Sequence, residues 1–155
     1  MIEILPFEAC YAADFKELNL EWLRKYFRVE PVDEEVLSRP DLIIAQGGAI
    51  FVARAQGSIV GTVALIRGGE RRFELSKMAV TPDWQGRGIS RQLLNAAIDA
   101  FNERGGGEIY LESSSILTPA LTLYESAGFV HAPRPDGPCH YDRADVYMVY
   151  RGADA

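Results

Sequence analysis

The sequence predicts an α/β protein built on a mixed sheet with helices on both faces, and three observations predict it. Strand and helix signals alternate along residues 49–150. A glycine-rich loop at residues 85–90 joins the end of one strand directly to the start of a helix. The next strand, at residues 109–112, returns after that helix, so the two strands run parallel and side by side.

The elements follow in order. Residues 2–5 read as an opening strand. Phe15, Leu18, Trp22, Leu23 and Tyr26 recur at helical spacing within residues 7–27, which predicts one long amphipathic helix or two shorter ones. Asp33, Glu34 and Glu35 mark a helix start within residues 31–37, and Pro40 is expected to end it. Residues 49–54 and 59–66 make a hairpin about Gln56, Gly57 and Ser58. In residues 72–80, Phe73 and Leu75 share one alternating phase while Met78 and Val80 share the other, which a bulge would reconcile. The helix after the glycine loop carries Ile89, Leu93, Leu94, Ala97, Ile98 and Phe101 on its inner face and stops at Gly105. A second helix spans 118–127, with Pro119 at its start and Gly128 at its end. Residues 129–130 and 145–150 supply the last strands.

A chain of 155 residues without repeats or linkers is expected to form one domain over residues 1–155. Its 48% hydrophobic and 25% charged residues suit a soluble protein; no run is apolar enough for a bilayer and no signal peptide opens the chain, which predicts a cytoplasmic location and no membrane partner. A net charge of −6 argues against nucleic acid, which is bound through clustered Lys and Arg, and mildly favours cationic substrates. Cys10 and Cys139 form neither a disulfide framework nor a metal cluster, so reduced thiols and no metal are expected.

A strand leading through glycines into a helix is an anion site, because turn N–H groups and the first helical N–H groups converge on it. Gly86 and Gly88 present no Cβ to an approaching phosphate. No lysine followed by Ser or Thr comes after the second glycine, and Arg91 stands where a dinucleotide fingerprint needs its third. What remains, Gln85-Gly86-Arg87-Gly88-Ile89-Ser90, resembles the Q/R-x-x-G-x-G/A acetyl-coenzyme A signature of the GNAT acetyltransferase superfamily. Ser90 departs from it, standing where Gly or Ala is usual. A second segment, Ala120-Leu121-Thr122-Leu123-Tyr124-Glu125-Ser126-Ala127-Gly128-Phe129, is similar to the superfamily's A-x-x-L-Y-E-x-x-G-F core. The two segments come in the family's order and cover roughly residues 72–130; Ser114 stands where many relatives carry Asn.

The resemblance implies a GNAT-like acyl-CoA N-acyltransferase fold, with a central, splayed, mostly antiparallel sheet flanked by helices and acetyl-CoA lying in the splay as co-substrate. It implies that backbone groups of Met78, Ala79 and Val80 pair with the pantetheine, and that Gln85, Gly86, Arg87, Gly88, Ile89 and Ser90 hold the pyrophosphate. Ser114 and Tyr124 complete the cofactor contacts. Arg87 reads equally as a solvated arginine.

The activity so implied is transfer of acetyl from acetyl-CoA to a primary amine of a small molecule, amino acid or peptide, by direct attack in a ternary complex. Such an amine must lose a proton, and Glu74 matches the family's general-base position, with Glu112 or a water chain as alternatives. Tyr124 matches the general acid for the departing thiolate; its other reading is aromatic packing. Cys139 as a nucleophile lies outside the matching segments. The acceptor pocket falls to the first helices and to residues 131–145, where His140 and Arg143 are candidates; Trp22 and Tyr26 read as core, with pocket lining as the alternative. A homodimer is compatible with the resemblance. A different class of reading is a non-catalytic acyl-CoA-binding sensor or interaction module.

Overall fold

In the computed structural model, which describes residues 1–135 and 144–152, seven strands form one sheet in the order β1-β2-β3-β4-β5-β7-β6. The strands are β1 (Ile2–Pro6), β2 (Ala49–Ala55), β3 (Ser58–Arg67), β4 (Arg72–Val80), β5 (Glu108–Ser113), β6 (Phe129–His131) and β7 (Val146–Tyr150). The helices are α1 (Ala12–Tyr26), α2 (Pro31–Leu37), α3 (Pro40–Ala45), α4 (Ile89–Glu103) and α5 (Thr118–Ala127). Every neighbouring pair is antiparallel except β4 and β5, the predicted parallel pair.

Side-chain alternation sorts the sheet onto two cores. Val63 and Leu65 of β3 face α4, where they meet Leu93, Leu94, Ala97 and Phe101. Ala64 and Ile66 face the other way, onto Phe15, Leu20 and Leu23 of α1, Leu37 of α2 and Ile43 of α3. The β2–β3 hairpin turns on Gln56 and Gly57, both at positive φ (51° and 78°), the pair of left-handed residues that a two-residue loop of matching twist needs.

Two expectations are corrected in part. Helix α2 stops at Leu37, ahead of Pro40 as expected, but Pro40 also opens a further helix, α3, because proline's missing N–H is an orphan in the first turn. In α1 the buried residues are Phe15, Asn19, Leu20 and Leu23; Trp22 is partly buried and packs against that core as expected, whereas Tyr26 is exposed and is not core. The expected bulge in β4 is present. Pairing with β3 runs Ala64↔Ser76 and then Thr62↔Ala79, so Lys77 and Met78 together oppose Val63. Lys77 takes φ 54°, and the buried phase switches there from Phe73 and Leu75 to Val80. Among the described residues, no helix is long and apolar enough to cross a membrane.

Candidate active site

The site begins where the parallel pair parts. β4 and β5 are paired only at Arg72↔Glu108, Phe73↔Ile109 and Glu74↔Tyr110. Beyond Glu74, β4 stays with β3 and β5 stays with β7, so among the described residues each leaves one edge bare on either side of a widening gap. Arg72 ties the closed end. Its Nε donates to Glu108 Oε2 at 2.7 Å, its Nη2 donates to Tyr147 Oη at 2.8 Å, and its guanidinium lies 3.8 Å over the Tyr110 ring. Gly107 sets the approach there: at φ 123°, an added Cβ would stand 2.0 Å from Arg71 O.

A cavity of about 530 Å³ fills the gap. Met78, Ala79 and Val80 form its β4 wall, and Gln85, Gly86, Gly88, Ile89 and Ser90 close one end. Thr81 follows β4, and the Pro82–Trp84 helical turn then leads to Gly88, the N-cap of α4, which lies in the left-handed region at φ 78° with no side chain capping the helix. The first N–H groups of α4 are thus presented to the gap, and the dipole favours an anion there. Gly86 shares φ 78°, and a Cβ on either glycine would meet nothing within 4 Å. Backbone conformation, not a crowded neighbour, is what these two glycines supply. Gln85 organises the loop from within, its Nε2 donating to Val80 O at 3.0 Å.

Arg87 is not among the residues that wall the cavity; its guanidinium stacks 4.6 Å over the Trp84 ring. The arginine on the cavity wall is Arg91, one helical turn on, held by a 2.7 Å hydrogen bond from its Nη2 to Ser126 Oγ. In the sequence Arg91 serves only to exclude the dinucleotide fingerprint, and no site role falls to it there.

Tyr124, Glu74, Glu112 and Ser114 all line the same cavity. Tyr124 comes from α5, its ring edge-on to Phe129 at 6.0 Å. Ser114 is buried, and its Oγ accepts from Ile116 N–H at 3.4 Å. Glu74 stands at the parting point, and Glu112 one step further along β5, with Arg134 Nε 3.7 Å from its Oε1. Trp22, Tyr26 and Phe27 form an aromatic cluster on the opposite wall, with Trp22 centred 5.5 Å from Tyr26 and 5.6 Å from Phe27. His140, Arg143 and Cys139 lie outside the described residues.

Desolvation is what pushes the Tyr124 phenol up to about 12. Tyr110 is raised to about 12 as well, by desolvation first and then by the negative charge of Glu74. Both phenols therefore stay neutral well past physiological pH. Because the folded pKa exceeds the ordinary value of about 10, the folded chain keeps protons that the unfolded chain releases. Stability is expected to be intact below pH 10 and to fall as pH rises from 10 to 12. An ultraviolet titration of phenolate should show a late component near 12 that shrinks in Tyr124→Phe and again in Tyr110→Phe.

A mixed sheet parted along its one parallel pair, with an uncapped glycine-led helix at the parting, defines an acyl-CoA N-acyltransferase fold. Residues 14–129 match the model of the acetyltransferase (GNAT) family, and the chain belongs to that family. It is 39% identical over 102 residues to the N-alpha-acetyltransferase RimI of Mycobacterium tuberculosis, a match covering 64% of this chain and 63% of that one, so it spans less than two thirds of that relative. The fold superposes on an acetyltransferase of the GNAT family from Staphylococcus aureus MU50 with a TM-score of 0.87 and 24% identity, over 97% of this chain and 98% of the other. It superposes on yncA of Salmonella typhimurium, whose structure holds its cofactor acetyl-CoA, with a TM-score of 0.77 and 19% identity, over 100% and 95% of the two chains.

Proposed function

We propose that this protein transfers the acetyl group of acetyl-CoA to a primary amine, and that the acceptor is a small amine, an amino acid or the α-amino group of a peptide. The observation that carries the reading is the bare β4 edge beside an uncapped helix N-terminus: one surface for an extended amide chain, the next for a diphosphate. The names of its relatives add weight to the α-amino acceptor.

When bound, acetyl-CoA supplies a thioester whose carbonyl carbon takes the amine nitrogen. Met78, Ala79 and Val80 hold the pantetheine by main-chain groups, and Gln85, Gly86, Gly88, Ile89 and Ser90 hold the pyrophosphate. Arg91 adds a cation there, and Arg87 serves the loop through Trp84. Glu74 takes the proton of the incoming ammonium. Tyr124 donates its hydroxyl proton to the departing sulfur. A phenol near 12 is a weak acid against an ordinary thiol near 8.5, but the burial that raises the phenol raises the thiol beside it too, which narrows the gap.

The test is thiol release from acetyl-CoA against a panel of amines and short peptides, with calorimetric titration of CoA alongside. Turnover on an amine supports transfer; tight CoA binding with no turnover on any acceptor supports a sensor instead. A narrower outcome follows from Gly88. An alanine there must enter the left-handed region at a cost of about 1–2 kcal/mol, so Gly88→Ala is expected to weaken CoA binding about tenfold in the same titration.

A further inference from the structure

Asp33 and Lys77 are two charged groups placed deep in the molecule: Lys77 Nζ lies 3.6 Å from Asp33 Oδ1, with side chains 6% and 0% exposed. Each belongs to a different working part of the site. Asp33 sits in the first turn of α2, where its other oxygen, Oδ2, accepts the backbone N–H of Glu30 at 2.9 Å and so fixes the start of the helix. Lys77 is the bulge residue of β4, held at φ 54°, a conformation that a residue with a Cβ adopts only when its surroundings impose it. The same peptide is gripped from a second side. Its carbonyl accepts from Thr62 Oγ1 at 3.1 Å, and Asn19 Nδ2 of α1 donates to that Thr62 oxygen at 3.2 Å and to Phe15 O at 2.8 Å.

The bulge is therefore fastened to α1 by a hydrogen-bonded chain and to α2 by an ion pair. Asn19, Asp33 and Lys77 all line the cavity, as do Trp22, Tyr26 and Phe27. The residue after Lys77 is Met78, where the bare edge of β4 begins to face the gap. We infer that the Asp33–Lys77 pair is a positioning device: it couples the aromatic α1–α2 wall to the bulge, so that an acceptor seated against that wall sets the main chain that orients the thioester. This rests on the reaction proposed above. Among the described residues, none of the hydrogen bonds of the phosphate loop runs to Asp33 or Lys77, Gln85 being held by Val80 O, so the loop is expected to keep its own affinity. The coupling is reciprocal by thermodynamic necessity, since whatever tightens the acceptor through the bulge must tighten the cofactor equally.

The experiment compares wild type with Asp33→Asn/Lys77→Met, which removes both charges together and leaves neither one buried alone. CoA affinity is measured by calorimetry with and without the best amine from the panel, and kcat by thiol release. The expected result is CoA affinity within about threefold of wild type in the absence of amine, kcat reduced about tenfold or more, and loss of the amine-dependent tightening of CoA that wild type displays; a wild type whose CoA affinity the amine leaves unchanged overturns the inference. A folded double variant with wild-type kcat and wild-type tightening overturns the inference and leaves the pair as structure alone. Loss of CoA binding in step with kcat overturns it as well, because the damage is then general. If the double variant does not fold, Asp33→Asn/Lys77→Gln carries the same comparison, since the amide at 33 still accepts from Glu30, the two amides meet where the ions did, and neither charge is left alone. A wild-type protein that binds no CoA defeats the function proposed above; an active wild type with an indifferent variant defeats only this coupling.

Discussion

Tyr124→Phe is expected to lower kcat by about 10²-fold or more, the usual range for a positioned acid, while CoA affinity stays within about twofold. The phenol lies on the cavity wall from α5, and no hydrogen bond from another side chain or main-chain group competes for its hydroxyl among the described residues. Its ring packs on Phe129, and that contact survives in Phe, so the substitution removes one oxygen and leaves the packing. The measurement is single-turnover thiol release at saturating acetyl-CoA, with circular dichroism to establish that the variant is folded. Because burial holds the wild-type phenol near 12, its proton is present at every working pH. The wild-type rate should therefore show no decline between pH 8 and 10 that disappears in Tyr124→Phe. Full turnover in the folded variant would return Tyr124 to a packing role.

Glu74→Gln is expected to cut kcat/KM by about 10²-fold near neutral pH, with the deficit shrinking as pH climbs toward the pKa of the amine. The sign follows from what the carboxylate does. At neutral pH an aliphatic amine is almost wholly protonated, so a base is required; at high pH solvent has already removed the proton. Glu112→Gln is the matched control. Glu112 shares the cavity, but Arg134 stands 3.7 Å from one of its oxygens, so a cation already competes for that carboxylate. Glu74, at the point where the strands part, faces the gap beside Tyr110. If Glu112→Gln loses the activity and Glu74→Gln keeps it, the base is on β5.

Much of the fold was legible because local chemistry decided it. Gly88 opening α4, Pro119 opening α5 and Gly128 closing it are conformational requirements that any reader of the chain meets one at a time. The bulge was legible too, since Phe73 and Leu75 fall out of phase with Val80. Pro40 was read only as a stop because proline both stops one helix and starts the next, and only the packing of Ile43 against the sheet brings out the second role. The candidate site divides in the same way. Gln85, Gly86, Gly88 and Tyr124 stand in short contiguous motifs, and the structure places all four on the cavity wall. Arg91 was missed because nothing in its own turn separates it from a solvated arginine. Asp33 and Lys77 were missed because each is ordinary alone: one is an acid in a first turn, the other a lysine in a strand. Their meeting across 44 positions is a product of the tertiary fold.

The three residue pairs between β4 and β5 have a mechanical consequence. One slab holds β1 to β4 and the other β5, β7 and β6, and their shared seam is stitched at one end only, by Arg72 and by the close approach at Gly107. A thioester laid along the open part of that seam is a strut as well as a reagent. In the proposed reaction the enzyme would thus be stiffest when loaded and slackest just after its spent carrier departs.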